Sequence, residues 1–167
     1  ARTYDEAVYQ REDLCAVRRF IQSVRNDVVP ACREFVIHGS LSDMKRTAYS
    51  DLDTWMVVSQ ETLGDPDLLR GLRKALEGPL QAARAFDPLQ HHGVFVATEW
   101  DLDFYLQARF PLVLLDTATS LMGNPDLSVA CVPDGVSRAR ALVRMARRIR
   151  GLKELPATAY GIKMLTS

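Results

Sequence analysis

Phe35-Val36-Ile37-His38-Gly39-Ser40, followed ten residues later by Asp51-Leu52-Asp53-Thr54-Trp55-Met56-Val57-Val58, is the stretch on which the reading of this chain turns. Phe35 to Ile37 is a short apolar run bounded by turn residues, the pattern of a buried strand. It runs straight into His38-Gly39-Ser40. Leu41 to Ser50 is a polar connector with room for one helical turn, and the β-branched and aromatic residues from Asp51 to Val58 predict a second strand. Side chains alternate faces along a strand, so Asp51 and Asp53 are expected to point one way and Leu52 the other, into the core.

The flanking segments extend this into a layered domain. Leu14, Val17, Ile21 and Val24 recur at helical spacing, predicting a helix over Asp5 to Val29 that Pro30 ends. After a turn at Gly64-Asp65-Pro66, Leu68, Leu69, Leu72, Leu76, Leu80 and Ala83 mark an amphipathic helix, with a break or kink expected at Gly78-Pro79. A third strand is expected over Gly93 to Thr98, with its start as early as Leu89, and a short helix over Glu99 to Ala108. Leu112 to Leu115 reads as a further strand and Gly123-Asn124-Pro125 as a loop. A last helix is predicted over Ser137 to Leu152, with Ala139, Leu142, Val143, Ala146 and Ile149 facing inward. This order predicts an α/β (α+β) fold, a small mixed sheet with helices packed on it. It fits one domain over 1–167 with a core of about 30–132 and a basic helix at 137–153.

Composition narrows the class. With 47% hydrophobic and 25% charged residues, the chain has enough apolar material for a core and is not of disordered type. No run approaches the roughly 20 apolar residues of a spanning helix, so a cytoplasmic protein is expected. The chain starts at Ala1 rather than Met, as expected of a trimmed chain or a piece of a longer one. Cys15, Cys32 and Cys131 are widely spaced and lie away from the histidines, which predicts reduced thiols rather than disulfides or a zinc site. The formal charge is zero, yet seven of the 21 basic residues fall within 138–153, where there is no acid. The remainder carries 14 basic against 21 acidic residues, so the charge is dipolar.

Two carboxylates close together on one strand face repel each other unless a cation lies between them, and hard oxygen ligands suit Mg²⁺ or Mn²⁺ completed by water and phosphate oxygens. A glycine ahead of a serine allows a phosphate to approach the backbone closely, with N–H groups and a hydroxyl to bind it. Asp51, Asp53, Gly39 and Ser40 together therefore predict phosphate chemistry at a metal.

The sequence Gly-Ser, about ten residues, then Asp-x-Asp opening an apolar strand resembles the signature of the DNA-polymerase-β-like nucleotidyltransferase superfamily. The resemblance covers about Phe35 to Thr98, and Ser50-Asp51-Leu52-Asp53 looks most like the compact bacterial antibiotic-adenylylating enzymes and minimal nucleotidyltransferases. It implies that Gly39 and Ser40 hold a nucleoside triphosphate, ATP being the expected one, and that Asp51 and Asp53 bind Mg²⁺ or Mn²⁺. The implied reaction moves a nucleoside monophosphate to a small-molecule hydroxyl and releases pyrophosphate. The family's third acid falls, by register, on His92, a departure from its pattern, with Glu99, Asp101, Asp103 and Asp87 as alternatives. A neutral imidazole at His92 could ligate a divalent ion or act as base toward the acceptor.

Other candidates are weaker. His38 is a candidate either for substrate contact or for a structural role, and Lys45 and Arg46 are cations on the connector within reach of a triphosphate. Tyr49, Trp55 and Trp100 are candidates for a base or acceptor pocket, Trp55 best because it shares the aspartate face, with core packing the more expected role. Arg140, Arg144, Arg147 and Arg148 share a helical face, the expected reading being a solvated face or docking on an acidic surface of a partner or second domain. Nucleic acid is the less expected partner, because no aromatic residues are interleaved for stacking. Two other functions remain open: an antitoxin-like regulatory module acting on a protein partner, and nucleic-acid end extension.

Overall fold

The fold is that of a computed structural model, which describes residues 1–47, 50–90, 93–103, 105, 111–123, 129–130, 142–143, 145–147 and 150. Five strands form one mixed sheet, as the α/β reading requires. They are β1 (Arg2–Thr3), β2 (Cys32–His38), β3 (Asp53–Val58), β4 (Phe95–Thr98) and β5 (Thr119–Ser120), in the spatial order β1-β5-β2-β3-β4. β2 runs antiparallel to both β3 and β5, while β3–β4 and β1–β5 are parallel. The parallel β3–β4 pair needs a crossover, which α2 (Gln60–Gly64), α3 (Pro66–Ala75) and α4 (Glu77–Phe86) supply.

Alternation along β2 and β3 divides the interior into two cores. Phe35, Ile37, Met56 and Val58 face α1 (Cys15–Ser23), α3 and α4, joined there by Val17, Phe20, Ile21, Leu72 and Ala83. Val36, Trp55 and Val57 face the other way, against Ala97, Leu102, Tyr105 and Ala118. Leu52, 2% exposed, lies in the first core, as its place between the two aspartates predicts.

The apolar positions expected for the first helix are all buried: Leu14, Val17, Ile21 and Val24. The segment is nevertheless not one helix over 5–29. Two 3-10 turns, Glu6–Tyr9 and Glu12–Leu14, precede α1, and a wide π turn, Val24–Val28, follows it. Asp5 starts the first turn by accepting from the Ala7 N–H at 3.0 Å. Pro30 sits inside a last 3-10 turn, Val29–Ala31, where its missing N–H is not needed.

Three further expectations are corrected. The break between the next two helices falls at Leu76 and not at Gly78-Pro79. Pro79 occupies the first turn of α4, where the backbone N–H groups have no helical acceptor in any case. Leu112–Leu115 is a 3-10 turn rather than a strand, and the strand at this place is the two-residue β5 beyond it. Among the described residues of the basic stretch, Leu142, Val143, Met145, Ala146, Arg147 and Arg150 are helical. Leu142 and Val143 are 67% and 49% exposed, however, so they do not face inward. No helix among the described residues is long and apolar enough to cross a membrane.

Candidate functional site

β2 ends at His38, and Gly39 turns the chain with a φ of +70°, a conformation that side chains beyond glycine disfavour. The residues after it form a single helical turn. The Lys45 N–H donates to the Ser40 carbonyl at 2.9 Å and the Met44 N–H to the Leu41 carbonyl at 3.4 Å. With Met44 at φ +57°, this nested pair is the bonding of a Schellman closure. Ser42 fastens the turn to the sheet: its hydroxyl donates to the Thr117 carbonyl and lies 2.8 Å from the Thr119 hydroxyl.

The turn and Asp53 meet. His38 pairs with Asp53 across the antiparallel ladder, which carries the Asp53 side chain back over the glycine. A methyl group on Gly39 would stand 2.7 Å from Asp53 Oδ2, so the carboxylate occupies the space that any other residue at 39 would fill. β3 begins at Asp53 rather than Asp51, but alternation still holds, with Asp53 on the face of Trp55 and Leu52 on the opposite one. Asp51 is 8% exposed. An extended chain separates its Cα from that of Asp53 by about 7 Å.

Gln90 completes this corner, and nothing in the sequence signalled it. Its side-chain Oε1 accepts from the Leu52 N–H at 3.1 Å, and its Nε2 donates to the Leu52 carbonyl at 3.2 Å. The contact spans 38 residues of sequence and involves only a backbone partner, so no spacing of residue types encodes it.

The structure decides between some of the candidates for a third acid. β4 runs parallel to β3, and Thr98 pairs with Val58, five residues beyond Asp53 or about 16 Å along the strand. Glu99 and Asp101 follow Thr98 and are therefore at the wrong end of the sheet. Glu99 accepts from the Gln60 N–H at 2.6 Å and faces Arg33 at 3.6 Å, while Asp101 forms a capping box with Thr98. Asp103 comes directly after that turn. Asp87 precedes β4 at the aspartate end, where it accepts from the Leu89 N–H at 3.0 Å. His92 lies outside the described residues, as does Tyr49.

The remaining candidates separate clearly. Lys45 is exposed on the turn, whereas Arg46 is paired with Asp13. His38 is buried at 4% exposure, on the same face as Asp53. Trp55 is not a pocket residue: it is 1% exposed and packs edge-on to Tyr105 with ring centroids 6.3 Å apart. Trp100 is 60% exposed, at the far end of β4.

No group of three or more His, Cys, Asp or Glu residues among the described ones could hold a metal ion. Mg²⁺ and Mn²⁺ commonly take only one or two protein carboxylates, with substrate phosphates and water completing the shell. Two grooves of about 470 and 510 Å³ lie elsewhere, along and between α1 and α4, and neither contains Asp51 or Asp53. The chemistry of the corner, not groove size, distinguishes it. No protein-family model, curated protein or solved structure matches this chain.

Proposed function

We propose that the chain is a metal-dependent nucleotidyltransferase, moving a nucleoside monophosphate from a nucleoside triphosphate, ATP in the first instance, to a hydroxyl of a small molecule. The observation that carries this reading is the seating of the Asp53 carboxylate against the Gly39 turn. The resemblance of Phe35 to Thr98 to the nucleotidyltransferase signature gives it independent support.

Gly39 and Ser40 would receive the triphosphate through the backbone N–H groups and the hydroxyl of the turn, beside the Asp53 carboxylate seated on the glycine. Asp51 and Asp53 would hold Mg²⁺ or Mn²⁺, which supplies charge neutralisation at the phosphates. The acceptor oxygen forms its bond to the α-phosphorus as the α–β anhydride bond breaks, pyrophosphate departs, and the hydroxyl proton passes to a base. His92 and Asp87 are the candidates for that base or for a third ligand. Lys45, on the turn itself, is the candidate cation for the outer phosphates.

The test is pyrophosphate release from ATP, GTP, CTP and UTP with a panel of hydroxyl acceptors. Release that disappears in Asp51→Asn and in Asp53→Asn supports the reading. Release unaffected by either substitution, or nucleotide binding without turnover under both Mg²⁺ and Mn²⁺, defeats it.

One observation favours a second reading, action on a protein partner. Leu142, Val143 and Met145 are exposed beside Arg147 and Arg150, an apolar and basic surface suited to docking.

A further inference from the structure

We infer that Gln90 is a positioning residue that sets the affinity of the Asp51–Asp53 pair for a divalent cation by clamping the Leu52 peptide between them. The inference rests on the reading of these carboxylates as metal ligands.

Leu52 lies beyond the end of the sheet. β3 starts at Asp53, its ladder with β2 closes at the His38–Asp53 pair, and its ladder with β4 begins only at Trp55–Phe95. A buried peptide in such a place needs a donor and an acceptor from elsewhere. The planar amide of Gln90 provides both, replacing the strand neighbour that Leu52 lacks. Because the two bonds grip both sides of one residue, they fix how the backbone passes from Asp51 to Asp53. That passage determines whether the two carboxylates project to the same face. The Leu52 side chain, anchored in the core, prevents the segment from rotating as a whole.

Gln90 is itself held in place. Asp87 accepts from the Leu89 N–H through its side chain and from the Gln90 N–H through its carbonyl, both at 3.0 Å. This turn follows directly on α4 and aims Gln90 at the aspartates. Loss of such supporting bonds around a metal site commonly costs about 10- to 100-fold in affinity.

The experiment is Mn²⁺ titration of the full chain, followed by the electron paramagnetic resonance of free Mn²⁺ at a temperature where each variant is folded. Gln90→Met preserves length but makes neither bond, and its dissociation constant should rise about tenfold or more. Leu72→Ala, a core substitution in α3, should lower the melting temperature and leave the constant unchanged. A second measurement needs no variant. Coupling is reciprocal, so saturation with Mg²⁺ should slow hydrogen exchange of the Leu52 amide in the native chain. Tight Mn²⁺ binding that is equal in native protein and Gln90→Met, or Leu52 exchange indifferent to Mg²⁺, overturns the clamp alone. Failure of the native chain to bind Mn²⁺, or binding that survives Asp51→Asn combined with Asp53→Asn, refutes the carboxylate reading and the clamp with it.

Discussion

Replacing Gly39 with alanine tests the contact on which the site depends. Two costs arise, and they can be separated. The backbone at φ +70° is left-handed, which costs a residue with a side chain about 1–2 kcal/mol. The new methyl would also stand 2.7 Å from Asp53 Oδ2, well inside contact distance, so the carboxylate must swing aside. Driving it off its rotamer costs roughly 0.5–1.5 kcal/mol more. Together these give about 1.5–3.5 kcal/mol, and a domain of this size should lose roughly 3–14 °C in melting temperature. The decisive assay is a double-mutant cycle in urea with Asp53→Ala, which removes the obstructing oxygen. In that background Gly39→Ala should cost only the backbone part, about 1–2 kcal/mol, leaving a coupling of about 1 kcal/mol. Additivity of the two substitutions to within about 0.3 kcal/mol would refute the contact, and with it the joining of turn and carboxylate into one site.

Glu34 supplies a pH dependence. It is 2% exposed, accepts from the Phe35 N–H and the Ser120 hydroxyl, and burial holds its carboxyl above the usual carboxylate range. The folded state thus keeps a proton that the unfolded chain has lost, so stability should fall as pH rises from the ordinary carboxylate value to the raised one, then level off. Glu34→Gln should flatten that fall and melt higher than the native chain at pH 7; an unchanged pH profile would contradict the assignment. The Cys32 thiol is pushed up to about 12 by burial and by the nearby Glu34 charge, whereas Cys15 is exposed. Iodoacetamide at pH 8 should therefore alkylate Cys15 in the native protein and Cys32 only after unfolding, as read by peptide mass spectrometry. Ser42→Ala removes a hydrogen bond from the Thr117 carbonyl and one from the Thr119 hydroxyl, and should lower stability by about 1–3 kcal/mol in urea titration.

Much of the central hairpin was legible because its signals are local. Alternation along 51–58 correctly separates Leu52 from Asp53 and Trp55, since a pleat repeats every two residues whatever surrounds it. For Trp55 the same alternation left a pocket role open beside the more expected core packing; sharing a face with the aspartates does not say whether that face is open, and a second core closes over it. In the basic stretch the helical spacing was legible but the facing of Leu142 and Val143 was not, because apolar spacing marks a stripe without revealing whether anything covers it.

By itself the sequence determined the turn and the carboxylates that follow it, because a glycine in left-handed backbone and a short β-branched strand are dictated within a few residues. Tertiary structure decided the rest. β5 is two residues long, too short to carry any period, and it becomes a strand only because β1 and β2 provide partners on both sides. The parallel direction of β4 sends Glu99 and Asp101 to the far end, a matter of how the crossover helices return the chain and not of any residue's own preference. Gln90 reaches Leu52 for the same reason: hydrogen bonds to backbone read position in space, and position is fixed only when the whole sheet has assembled.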